Sequence, residues 1–184
     1  MEKNGFDEIT VTDIVRQSGL SRQNFYKNFE NKQELINEIF VSDVCSAISG
    51  SVLFDTKKAL ENIFLRFEKH KDFYLGLLHS SMNEYLYRML CDYALHICKI
   101  FARYTIFSVL DETQVALLKF YLSGAIMLLF RFLSGNEELS AAEAVKQLME
   151  FMPEELKKII LIDDLTSEFV IYNIRKFKEI WIYD

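Results

Sequence analysis

The sequence predicts an all-α fold in which a small helix-turn-helix head precedes a larger helical body. Three observations carry this. One proline and six glycines in 184 residues leave room for many uninterrupted helices. Apolar residues recur at helical spacing along most of the chain. Capping residues followed three positions on by an acid or an amide mark helix starts at Thr10/Asp13, Asn31/Glu34, Asp111/Gln114 and Ser140/Glu143. An apolar share of 51% suffices for a sizeable core, and neither an internal repeat nor a low-complexity linker interrupts it.

Taken in order, Thr10 caps a first helix whose apolar face is Val11, Ile14 and Val15. Gly19 ends it, since the left-handed residue that closes a helix is cheapest as glycine. Ser21 caps a second, short helix anchored by Phe25, Tyr26 and Phe29. Asn31 opens a longer one at Lys32 that runs through Ile36, Ile39, Phe40 and Val44 toward Ser49–Ser51. This is helix-turn-helix grammar, in which the second helix is offered to the DNA major groove. Asp55 or Thr56 caps a helix carrying Leu60, Ile63, Phe64 and Phe67, and His70-Lys71-Asp72 interrupts before the short apolar piece Phe73–Leu78. Met82-Asn83 opens a long segment with Tyr85, Leu86, Met89, Leu90, Tyr93, Ile97, Ile100 and Phe101. Asp111 starts another that reaches Leu133, and Ser140 one that ends near Phe151-Met152. Pro153 suits a first helical position. The last stretch, Phe169 to Tyr183, is ambiguous: Phe169, Tyr172 or Asn173, Ile180 and Trp181 fit a helix, whereas Val170, Tyr172 and Ile174 alternate like a strand. A further helix packed on the body is the plain expectation and a partner-binding tail the sharper one.

Charge narrows the function. The net charge of −6 argues against indiscriminate nucleic-acid binding. Residues 1–35 hold five Lys/Arg and six Asp/Glu, the remainder 16 and 21, so the head is nearly neutral. Its cations gather at Arg16, Arg22, Lys27 and Lys32, where phosphates would lie. Arg22, Gln23 and Asn24 stand at the end of the second helix that meets base edges, where Arg can take guanine and Gln or Asn adenine. Thr10 and Thr12 can bond phosphates through hydroxyl and backbone N–H groups. Three cysteines, Cys45, Cys91 and Cys98, make no disulfide framework and suit a reduced interior. His70, His79 and His96 form no compact ligand motif with them, so neither metal nor other cofactor is expected. No nucleophile–base pairing or phosphate-cradling glycine loop points to an enzyme. The strongest apolar run, Phe120–Phe130 between Lys119 and Arg131, falls short of the ~20 residues that span a bilayer. With no signal peptide in view, the expectation is a cytoplasmic protein without a membrane partner.

One resemblance ties these readings together. Gly5-Phe6, Ile9-Thr10-Val11, Asp13-Ile14, Ser18-Gly19-Leu20-Ser21, Phe25-Tyr26, Phe29, and Lys32 with Leu35 resemble, without insertion, the signature of TetR (tetracycline-repressor-like) bacterial transcriptional regulators. The segment from Phe120 to Leu133, with Gly135 and Ser140-Ala-Ala-Glu143, is similar to the last helix pair of many such proteins. The resemblance implies a regulator of double-stranded operator DNA, a repressor released by a small-molecule effector. It implies phosphate clamps at Tyr26 and Lys32, a homodimer, and a connector helix from Lys32 that carries motion from body to head. Pocket candidates are Phe64, Phe67, Tyr74, Met82, Tyr85, Met89, Tyr93 and His96. Dimer candidates are Tyr121, Gly124, Ala125, Leu128, Val145, Leu148 and Met149, where small residues let helices approach closely.

The domain expectation is a head at 1–45, a regulatory and dimerisation body at 46–156 and an atypical extension at 157–184. Two departures accompany the resemblance. The family's first helix is reduced to Met1-Glu2-Lys3-Asn4, which would weaken the head's packing, and the chain continues past the usual close of the body. They motivate an alternative: a ligand-sensing or protein-interaction subunit that has lost DNA binding and acts through a partner regulator.

Overall fold

In the computed structural model, residues 5–135, 139–162 and 164–181 are described. They hold a 3-10 turn, Phe6–Glu8, and ten helices. These are α1 Val11–Ser18, α2 Arg22–Asn28, α3 Lys32–Ile48, α4 Thr56–Lys69, α5 Lys71–Leu78, α6 Asn83–Thr105, α7 Glu112–Ser134, α8 Ala141–Glu150, α9 Glu154–Ile160 and α10 Ser167–Trp181. The expectation of a truncated first helix falls on residues 1–4, outside the described residues. Among the described residues the only β contact is a lone antiparallel bridge between Leu53 and Thr166.

The local signals act as expected. Reciprocal capping boxes form at Thr10/Asp13, Asp111/Gln114 and Ser140/Glu143. Gly19 (φ 70°) and Gly135 (φ 67°) take the left-handed conformation that closes α1 and α7. Asn31 caps α3, but the reciprocal bond goes one residue outward: Glu34 accepts from the Glu30 N–H at 2.6 Å. Pro153 is the N-cap of α9, one position earlier than expected.

The body is built around α3, α4, α6 and α7, with α8, α9 and α10 packed across them. The ambiguous tail is helical. Ser167, Val170 and Ile174 are buried, with Phe177 and Trp181 completing a stripe at three- and four-residue intervals, while Tyr172 faces solvent. The strand-like alternation fails because its middle member is on the outside. α10 packs on α3 and α6, and Lys178 pairs with Glu38 of α3.

α7 spans the stretch expected from Asp111 to Leu133. By length and composition it could cross a membrane, yet Leu118, Leu122, Ile126 and Leu129 are buried in the bundle against its neighbours. A polar hub sits inside the α3–α4–α5 junction. Asp43 of α3, 2% exposed, accepts hydrogen bonds from Arg66 Nε (2.8 Å), His70 Nδ1 (2.7 Å) and Tyr74 OH (2.9 Å). Burial, then the Asp43 charge, pushes the Tyr74 hydroxyl far above its ordinary pKa, so it stays a donor.

Candidate nucleic-acid interface and body cavity

The head presents one polar face. Phe25 turns inward from α2 against Phe29, and Val15 of α1 is buried with it, while Arg22, Gln23, Asn24, Tyr26 and Lys27 face outward. The expectation of Tyr26 as an apolar anchor is met only at its ring edge, which touches Phe25; the residue is 57% exposed. Ser21 holds the start of α2 by accepting from the Asn24 N–H at 3.1 Å. Arg22 donates to the Thr12 hydroxyl across the turn, so α1 pre-orients the guanidinium. Thr12 is exposed beside it, and Arg16 pairs with Asp13 at 2.8 Å. Thr10 is committed to its capping box, whose bonds hold the Asp13 carboxyl below its usual range. Lys32 departs from the outward set. Its ammonium donates to the carbonyls of Phe6 (3.0 Å) and Ile9 (3.2 Å) and lies over the Phe6 ring at 4.7 Å. It staples the N-terminal turn to α3.

That turn also fastens the head to the body. Asp7 accepts from the Ser81 hydroxyl (2.7 Å) and backbone N–H (3.0 Å), which hold its carboxyl below the usual range. Phe6 packs on Phe73 and on Gly76, where a Cβ would come within 3.2 Å of the ring. Tyr85 OH donates to the Gln33 carbonyl at 3.0 Å.

Within the body lies a cavity of about 210 Å³. Phe40, Val44 and Ile48 of α3 form one wall, facing residues of α4, α6 and α7. Of the pocket candidates, Phe64, Phe67 and Tyr93 are on its walls. Tyr74 and Met89 are buried elsewhere in the core, Tyr74 on Asp43. Tyr85 joins body to head, and Met82 is half-buried at the start of α6. His96 stacks on Phe177 at 4.1 Å outside the cavity. Burial, and then Lys99 and Arg103, lowers its pKa.

The dimer candidates divide as well. Val145 (0% exposed) and Leu148 are buried in the chain's own core. Tyr121 and Ala125 line the cavity, and Tyr121 OH donates to the Leu148 carbonyl at 2.6 Å. Leu128 and Met149 are half-buried, and Gly124 is open. Large apolar surface remains on the same face of α7 as Gly124, at Phe120 (82% exposed) and Met127. Neither was among the candidates, because helical spacing alone does not say which apolar side chains of a helix its own chain leaves exposed.

Residues 1–39 match the family model for bacterial regulatory proteins, tetR family. Residues 55–154, more than half of the chain, match that of a transcriptional regulator C-terminal region. The chain belongs to the TetR family. A curated relative is the HTH-type dhaKLM operon transcriptional activator DhaS of Lactococcus lactis subsp. lactis (strain IL1403). It is 37% identical over 51 residues, which are 28% of this chain and 27% of that protein. The aligned part thus spans about a quarter of the relative's length. TetR-family regulators are in general DNA-binding proteins rather than enzymes. The site that sequence reasoning missed in this member is the Asp43 hub. Its donors come from α4, α5 and the residue that joins them, and only a carboxylate in the middle of an apolar helix hinted at it.

Proposed function

We propose that this TetR-family chain is a DNA-binding transcriptional regulator that works in the cytoplasm as a homodimer and answers to a small molecule held in the body cavity. The carrying observation is the outward face of α2. Arg22, Gln23, Asn24, Tyr26 and Lys27 are exposed on a helix fixed by a buried Phe25 and capped at its base-reading end. Arg22, Gln23 and Asn24 are the base readers in this proposal, and Thr12, Tyr26 and Lys27 contact phosphates. A twofold dimer through the exposed face of α7 would present two such helices to adjacent half-sites. Occupancy of the cavity would press on Phe40, Val44 and Ile48, and α3 would carry that displacement to the head.

The test is fluorescence anisotropy of the purified chain on the DNA upstream of its own coding sequence. Binding that survives scrambled competitor at two salt concentrations is the expected result; no competitor-resistant binding would overturn it. The sense of regulation follows from a reporter on the same DNA. We propose repression, for which deletion of the gene raises expression. A fall would instead match the activator role that the relative's name states.

A further inference from the structure

Resting on the reading of the cavity as an effector site, we infer that its occupant is an uncharged, hydrocarbon-like aromatic molecule of one or two rings. No Lys, Arg, Asp, Glu or His lines the cavity. The polar wall residues are Thr56, Tyr93, Tyr121 and Cys98, and each hydroxyl proton is already committed. Thr56 donates to the Ile160 carbonyl at 2.6 Å, Tyr93 to Asn37 Oδ1 at 2.8 Å, and Tyr121 to the Leu148 carbonyl at 2.6 Å. Burial keeps the Cys98 thiol neutral, its pKa pushed up to about 12. The two buried side-chain groups without a partner among the described residues, Asn37 Nδ2 and Ser167 Oγ, belong to residues that are not part of the wall.

A ligand carboxylate, phosphate or ammonium placed here would lose its hydration and meet no countercharge, and a neutral amide or polyol would trade water for very few partners. An apolar cavity of this kind is poorly held by water: an engineered one of about 150 Å³ in another protein stays dry and takes up benzene. The walls also favour ring against ring. Phe40, Phe54, Phe64, Phe67 and Phe101 all contribute, and aromatic pairs prefer edge-to-face or offset contact. Size, neutrality and ring-lined walls therefore select the same class of molecule.

Naphthalene and 2-naphthoate share one ring system and differ by a charge. Equilibrium dialysis of each against the full chain at pH 7 is expected to give naphthalene an affinity at least ~100-fold the greater, the discrimination a desolvated, unpaired carboxylate implies. Filling the cavity with Ala125→Phe, or less drastically Ala94→Leu, is expected to weaken naphthalene at least tenfold while circular dichroism and the thermal midpoint show a folded protein. Cross-relaxation from naphthalene protons to the methyls of Ile97 and Leu122 locates the ligand in the unaltered chain, whatever the variants do. Equal or tighter binding of 2-naphthoate, no uptake of naphthalene, or contacts only with surface methyls such as those of Val109 would overturn the inference. DNA anisotropy is read separately. Naphthalene in the cavity with no change in DNA affinity would uphold the ligand class and sink the effector reading.

Discussion

At the scale of single residues, Asp43 and the outward side chains of α2 make opposite demands. Asp43 is buried with three donors on its two oxygens, so truncating it strands Arg66 and Tyr74 together. Loss of one partner of a buried ion pair costs ~3–5 kcal/mol, and Asp43→Ala should fall toward the lower end because the Arg66 side chain is 30% exposed. Urea denaturation would measure it, and Tyr74→Phe should cost only ~1 kcal/mol in the same assay. Arg22→Ala and Asn24→Ala should leave the denaturation midpoint in place, since both side chains are exposed. Each is expected to cost ~1–3 kcal/mol on the preferred DNA sequence and far less on a scrambled one. Equal losses on both sequences would move that residue from base reading to phosphate contact. Asp7 adds a pH dependence. Its carboxyl is held below the ordinary value of 3.8 by Ser81, so its bond to the body is fully present above that value and lost as pH falls through the lower, folded one. Protection of the Ser81 amide from hydrogen exchange, taken relative to the intrinsic rate at each pH, should fall in that acid window, and Asp7→Asn should lower it at neutral pH.

Among the elements, the limit of what the sequence could disclose is set by how local the deciding interaction is. A capping box closes within three residues, and the boxes at Thr10, Asp111 and Ser140 are legible from spacing alone. Most of the head's exposed face was legible for the same reason: with Ser21 as cap and Phe25 inward, the directions of Arg22, Gln23, Asn24 and Lys27 follow, whereas Tyr26, read as an apolar anchor, faces out. Lys32 and Asp43 were not legible, because their partners lie 23 or more positions away on separate elements. Pocket candidates suffered likewise. Helical spacing finds the inward face of α6, but only the tertiary fold puts Tyr93 on the cavity and Met89 in solid core. α10 lies between these cases, since its stripe of Val170, Ile174 and Trp181 could be seen only once Tyr172 was known to face out. Its weight in the fold can be measured. Ile174→Ala, 2% exposed at the contact with α3 and α6, should cost ~2–5 kcal/mol in urea denaturation. A loss under about 1 kcal/mol, the range of a tolerated core swap, would mean α10 is only loosely seated.

The whole molecule must reconcile a net charge of −6 with binding a polyanion. Among its described residues a single head offers few exposed cations: Arg22 and Lys27 beside Arg16, which is already paired with Asp13. Counterion release scales with phosphates neutralised, the slope of log affinity against log salt being about −0.9 per phosphate on duplex DNA. One head alone would therefore bind weakly and with a shallow slope, and pairing doubles the cations without changing either head. The proposed pairing runs through the exposed Phe120 and Met127 of α7, which can be replaced without touching the core. Phe120→Glu with Met127→Glu should yield a folded monomer by light scattering, since neither side chain supports its own chain. Its salt slope on operator DNA should fall to about half that of the unaltered protein, because each bound unit neutralises half as many phosphates. A monomer that kept the full slope would place the necessary cations within one head, and the dimer would then serve half-site spacing alone. A variant that stayed dimeric would move the interface off this face of α7.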